Sequence, residues 1–134
     1  MVIAVDPNRS LSFIFPNERK LAPELQTVFR FRPLDPSESR DLIGAASAAA
    51  TGAEGVFLAA QVQVDLAIAS LTGWDNFKKD GVAVPFVAEW QAIRGRRVHA
   101  ATQETLSFLT WEQLAVLASG VREINSLTET DAKN

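Results

Sequence analysis

The chain of 134 residues contains no cysteine, no tyrosine and a single histidine, His99. Without cysteine it can form no disulfide, hold no metal ion through thiolates and use no thiol nucleophile. It also lacks a G-x-S-x-G elbow, a glycine-rich loop after a strand and the acidic spacing of a calcium loop. His99 has arginines before it and alanines after it, which is typical of a surface residue rather than a general base. We therefore expect no enzymatic activity, no cofactor and no metal site.

A long uninterrupted apolar run is also missing. The most apolar segment, Val56–Leu71, contains Gln61, Gln63 and Asp65, which argues against a membrane span. The first ten residues lack a basic start and a long apolar run, so no secretory signal is predicted. The net charge of -3 argues against a nucleic acid partner. We expect a soluble cytoplasmic protein.

One short basic segment departs from this acidic balance, because Arg94, Arg96 and Arg97 lie close together. Two interpretations are open for it: a solvated loop, or a contact with a polyanion or protein partner. If these arginines and His99 bound a polyanion, the binding would weaken with added salt.

Alternating apolar and polar residues predict short strands near the amino terminus. The run Val2–Val5, the turn cluster Asp6-Pro7-Asn8 and the run Leu11–Phe15 together predict a hairpin. The run Gln26–Arg32 places two phenylalanines on one side and two arginines on the other, which predicts a third strand. Three short strands can bury one face only under a second layer, so the following helices must supply that layer.

Capping signals delimit the helices. Asp35–Glu38 can form a reciprocal capping box at the start of a first helix, which Thr51-Gly52 ends. A second helix is predicted over Glu54–Thr72, apolar around much of its circumference, so it is either central to the core or leaves one stripe free for a partner. A last helix begins at Thr110, with Gln113 at the reciprocal position of another capping box.

A turn-rich stretch connects these helices. Gly73 is placed to end the second helix, and Trp74 is predicted to lie in the core. The dipeptide Asp80-Gly81 favours a tight hairpin turn. The spacing of apolar residues predicts a short helix over Phe86–Ile93, stopped by Gly95.

These signals predict an α+β fold, mainly α, in which short N-terminal antiparallel strands pack on a small helical bundle. We expect a single domain over residues 1–134, with a strand-rich part at 1–33, a helical part at 34–127 and a flexible tail at 128–134.

Three segments together resemble the tail assembly chaperones of long-tailed (siphovirus-like) bacteriophages. The segments are VFRFRPLDPSESRDL, LTGWDNFKKDGVAVPFVAEWQAI and TWEQLAVLASGVREINSL, and the resemblance covers roughly residues 26–127. It implies a non-enzymatic, homo-oligomeric protein of the host cytoplasm. Such a protein coats the tape-measure protein until tail tube subunits polymerise around it. The alternative is a virion structural protein, such as a head-tail connector or minor tail component.

An apolar stripe on the last helix is the predicted partner-binding surface, and ordinary core contact is its alternative interpretation. The stripe consists of Trp111, Leu114, Leu117, Val121 and Ile124.

Overall fold

A computed structural model describes residues 6–133, which form seven strands, four α-helices and two single-turn 3-10 helices, Pro16–Glu18 and Pro23–Leu25. In chain order the elements are β1 (Leu11–Phe13), β2 (Val28–Phe31), α1 (Pro36–Ala49), α2 (Ala53–Ser70), β3 (Leu71–Asp75), β4 (Lys78–Lys79), β5 (Val82–Ala83), β6 (Ala88–Ile93), β7 (Arg96–Ala101), α3 (Gln103–Leu106) and α4 (Trp111–Lys133). The predicted α+β fold with N-terminal antiparallel strands is confirmed.

The first sheet is antiparallel, in the order β1-β2-β3. Phe29 lies opposite Phe13 on one side and Trp74 on the other, and all three side chains are buried. The residues between them, such as Arg30, point to solvent, as the alternation predicted. Strand β1 pairs with β2, whereas its predicted partner Val2–Val5 lies outside the described residues.

The junction between α2 and β3 corrects one prediction. Gly73 does not end a helix, because the chain is already extended at Leu71, with φ −68° and ψ 121°. Gly73 instead lies in β3 opposite Arg30, and a Cβ there would lie 2.8 Å from an Arg30 guanidinium nitrogen. The glycine therefore leaves room for the arginine side chain that crosses the strand.

Helix α1 begins with the predicted capping box. Asp35 accepts a hydrogen bond from the Glu38 amide at 2.8 Å, and Glu38 accepts one from the Asp35 amide at 3.1 Å. The sequence did not indicate that Glu38 would be buried against Arg32, with N–O distances of 2.6 and 2.9 Å. This hydrogen-bonded pair raises the pKa of Arg32 above its ordinary value. Because Arg32 also donates to the Ala69 carbonyl at 3.2 Å, it joins β2, α1 and α2.

Helix α4 covers the inner face of the first sheet and packs against α2 and β1. Gly120 lies so close to Phe13 that a Cβ there would meet the ring at 2.7 Å. The capping box of Thr110 and Gln113 is confirmed, with distances of 2.9 and 3.1 Å. The helical backbone continues to Lys133, through most of the predicted tail.

An aromatic cluster surrounds Trp74. The Trp74 indole N–H donates to the Val84 carbonyl at 2.8 Å, and its ring lies 4.8 Å from Phe77 and 5.0 Å from Phe86, between centroids. The predicted core position of Trp74 is confirmed, since only 7% of it is exposed. The Asp80-Gly81 turn between β4 and β5 is also confirmed, with φ of 52° and 78°.

The predicted helix over Phe86–Ile93 is wrong, because most of this segment forms β6, which pairs with β7. Arg94 and Gly95 are the two residues of a tight turn, with φ of 51° and 78°. Both angles are left-handed, as in the primed turns that match strand twist. Gly95 therefore reverses a strand where a helix stop was predicted.

Candidate protein-binding site

The first turns of α2 carry three consecutive large apolar side chains in solvent. Val56 is 54% exposed, Phe57 68% and Leu58 52%. Successive helical residues are about 100° apart, so the three side chains span about 200° of the helix circumference. We call these three residues the α2 apolar surface.

These turns are exposed because the core covers only the other end of α2. Its buried large side chains, Val64 and Leu66, lie in the second half, and Gly55 and Ala59 are the buried positions of the first half. At Gly55 the helices α1 and α2 meet so closely that a Cβ would overlap the carbonyl oxygen of Ala48. The outer end of the α1–α2 hairpin therefore extends from the core as two closely packed helices.

Exposed apolar residues that adjoin one another indicate a binding surface more strongly than scattered ones do. Full burial of such a side chain contributes a favourable free energy of about 1.5–3 kcal/mol. The folded chain does not gain this free energy while the side chains stay in solvent, and burial against a partner would supply it. The sequence contains a signal for this surface that the sequence analysis missed, namely three large apolar residues in a row. No single face of a helix can bury Val56, Phe57 and Leu58 together.

A groove of about 270 Å³ runs beside Leu58, between α1 and α2. Its lining combines small and apolar residues with three charged ones, Arg40, Asp41 and Arg94. The lining residues are Arg40, Asp41, Gly44, Ala45, Ala48, Leu58, Ala59, Val62 and Arg94.

Two residues of the basic segment hold the β6–β7 hairpin against these helices. Arg96 lies 2.8 Å from Asp41, and this hydrogen-bonded contact raises the pKa of Arg96. Arg94 lies 3.9 Å from Asp41 and 3.5 Å from Asp65. Both arginines are therefore engaged with aspartates of their own chain.

The other basic residues of the hairpin lie on its solvent face. Arg97 lies 5.8 Å from the ring centroid of Trp90, and the His99 ring lies 5.4 Å from the same ring. Trp90 is 62% exposed, so it does not join the core cluster of Trp74. Of the four residues considered for a polyanion, Arg94 and Arg96 contact aspartates, whereas Arg97 and His99 have no carboxylate within 4.0 Å among residues 6–125.

The predicted partner-binding stripe on α4 is divided by the fold. Leu117 and Val121 are each 1% exposed and belong to the core, and Leu114 and Ile124 are partly buried against it. Trp111 is 56% exposed. Partner binding through this stripe stays a prediction, and Trp111 is the member with most of its surface in solvent.

The buried polar side chains of the described residues are hydrogen-bonded within the fold. Across residues 6–125, every buried side-chain nitrogen or oxygen has a hydrogen-bond partner. The same residues contain no group of three or more acidic or histidine side chains placed to hold a metal ion. Among the described helices, none is long and apolar enough to cross a membrane.

No family model, curated protein or solved structure matches the chain. The α2 apolar surface and the groove beside it are therefore the features that point to a function.

Proposed function

We propose that the protein is a non-catalytic assembly chaperone that covers apolar helical segments of another protein. The observation that carries this proposal is the α2 apolar surface, since a helix that exposes Val56, Phe57 and Leu58 is suited to pack against another helix. The resemblance to phage tail assembly chaperones suggests the partners. The client is then the tape-measure protein, tail tube subunits displace the chaperone, and both steps take place in the host cytoplasm.

The size of the surface fits reversible binding. Between 52% and 68% of each of the three residues is exposed. Because they span about 200° of the helix, one client helix covers two of them at most, and that burial contributes roughly 2–4 kcal/mol. Association itself costs about 4–15 kcal/mol, so one such contact binds weakly. Several chaperone copies along a long client, joined by self-association, overcome this cost through multivalency. Weak individual contacts then allow tube subunits to replace the chaperone.

Co-expression with the proposed client, the tape-measure protein, tests the proposal. The measured quantity is the fraction of that client in the soluble extract. We expect the wild-type chain to raise it and the double variant Val56→Ser/Phe57→Ser to lose the effect. The matched control is Leu25→Ser/Val82→Ser, which removes apolar side chains of 62% and 70% exposure elsewhere on the surface. Equal client solubility with both double variants would contradict the proposal.

The alternative function is a virion structural protein, a head-tail connector or minor tail component, for which the α2 apolar surface would be a permanent interface. Mass spectrometry of purified virions separates the two functions, because an assembly chaperone leaves before the particle is complete. Detection of the chain at stoichiometric levels in virions would favour the structural protein.

A further inference from the structure

We infer that the groove beside Leu58 recognises a client helix that carries a carboxylate about one turn from an apolar side chain. The inference rests on the proposed function and specifies the chemistry of its client.

The groove has an apolar end and a charged end. Helices α1 and α2 are antiparallel, and Ala48 lies next to the start of α2, so Ala48 and Leu58 mark the apolar end. Arg40 lies two turns before Ala48 in α1, about 12 Å along the axis, and marks the charged end. An apolar side chain and a carboxylate four residues apart on a client helix are separated by about 6 Å along its axis. Leu58 lies three residues beyond Gly55, the residue that meets Ala48, so it lies about 4.5 Å nearer to Arg40 than Ala48 does. About 7.5 Å along the axis then separates Leu58 from Arg40, close to the client spacing of about 6 Å.

The charge of the groove favours a carboxylate at this end. Asp41 is engaged by Arg94 and Arg96, and Arg94 also contacts Asp65. Arg40 lines the same groove, and within residues 6–125 no carboxylate lies within 4.0 Å of its guanidinium nitrogens. The lining residues Arg40, Asp41 and Arg94 sum to one positive charge on a chain whose net charge is -3. A client carboxylate would complement this charge.

Gly44 supplies an independent argument for occupancy. It lies inside α1 and lines the groove, yet nothing lies within 4 Å of a Cβ placed there. A glycine in a helix interior costs about 1 kcal/mol relative to alanine. Within the described residues no contact requires it, whereas a client helix in the groove would approach the backbone at this position.

Titration of ¹⁵N-labelled protein with synthetic helical peptides, followed by NMR, tests the inference. The probe is an alanine-based peptide that carries a leucine and a glutamate four residues apart. The matched peptides replace the glutamate by glutamine or lysine, or the leucine by alanine. We expect the first peptide to shift the amide signals of Gly44, Ala48 and Ala59. The glutamine peptide should bind about threefold more weakly, the range of an exposed ion pair, and the alanine peptide should cause no shift.

Two protein variants complete the test. The Arg40→Glu variant should bind the glutamate peptide about tenfold more weakly than the wild type does, and it should bind the lysine peptide more tightly. Gly44→Leu should fill the groove and abolish peptide binding, whereas Ala46→Leu places the same side chain at an exposed position of α1 that does not line the groove. Equal affinity for the glutamate and glutamine peptides, or unchanged binding by Gly44→Leu, would overturn the inference.

The outcome for the groove is distinguishable from the outcome for the proposed function. Val56 and Phe57 do not line the groove, so their double variant tests client holding alone. If that variant loses client solubility while Gly44→Leu still binds the peptides, the function stands and the groove inference fails. If Val56→Ser/Phe57→Ser holds the client as the wild type does, the proposed function fails.

Discussion

The buried pair of Arg32 and Glu38 allows a quantitative test of how β2, α1 and α2 are joined. We consider three variants, Glu38→Leu, Arg32→Met and the double variant. Each single change leaves one charge without its partner. The double change replaces both by apolar side chains of similar size, which often restores the stability lost in the single variants.

The burial of the two residues determines how much stability each single variant should lose. Glu38 is 1% exposed and the Arg32 side chain 30%. Breaking a buried pair costs about 3–5 kcal/mol, and the charge left behind decides the value within this range. We expect about 3 kcal/mol for Glu38→Leu, because water reaches the remaining guanidinium. We expect about 4 kcal/mol for Arg32→Met, because the remaining carboxylate is enclosed.

Urea unfolding followed by circular dichroism measures the free energy of unfolding of the four proteins. The coupling energy between the two positions should be at least about 2 kcal/mol, so that the double variant is more stable than the sum of the single changes allows. If the two single effects add to the double effect within about 0.5 kcal/mol, the pair does not join these elements and the reasoning is refuted.

Three further predictions concern packing and turns. Trp74→Ala should lower the free energy of unfolding by about 3–5 kcal/mol, because it empties the aromatic cluster and frees the Val84 carbonyl; an unchanged melting curve would contradict this. Two glycine-to-alanine changes in helices should have opposite signs in the same melting assay: Gly120→Ala should destabilise by about 1–3 kcal/mol against the Phe13 ring, whereas Gly44→Ala should stabilise by up to about 1 kcal/mol. Destabilisation by both would show that another part of the protein packs against Gly44, contrary to the open space around it. Gly95→Ala should cost about 1 kcal/mol at a φ of 78°, and no loss of melting temperature would argue against the tight turn.

The parts of the fold that sequence predicted are those fixed by local chemistry. The capping boxes at Asp35 and Thr110 and the turn at Asp80-Gly81 each depend on a few neighbouring residues, and each is present. Trp74 is also in the core as predicted. The caps and the turn could be read from the chain because each depends on residues within a few positions, whereas the burial of Trp74 followed from its large apolar ring.

The β6–β7 hairpin was missed because two patterns overlap in one segment. Phe86, Trp90 and Ile93 have helical spacing, which favoured a helix. The same segment also suits a strand, and its pairing with β7 through the Arg94-Gly95 turn decided the outcome. A glycine after an apolar run ends a helix or turns a hairpin, and single-residue propensity does not separate the two.

The candidate site was only partly predictable for a similar reason. The sequence of α2 showed a helix apolar around much of its circumference, which allowed either a central position or a free stripe. Which side chains remain uncovered depends on where α4 and β7 end, and no local pattern specifies that. The apolar stripe of α4 had the same ambiguity, and the fold uses Leu117 and Val121 for the core.

The strand register brings both ends of the α1–α2 hairpin to one place in the first sheet. Phe31 and Leu71 are neighbours in the first sheet, so residues 32–70 leave the sheet and return to it at the same place. The outer turns of this excursion can therefore be lengthened, shortened or exchanged while the strands at its base keep their pairing. A lineage could change the surface that this tip presents without altering the strands, and an engineer could graft a different helical tip at the same position.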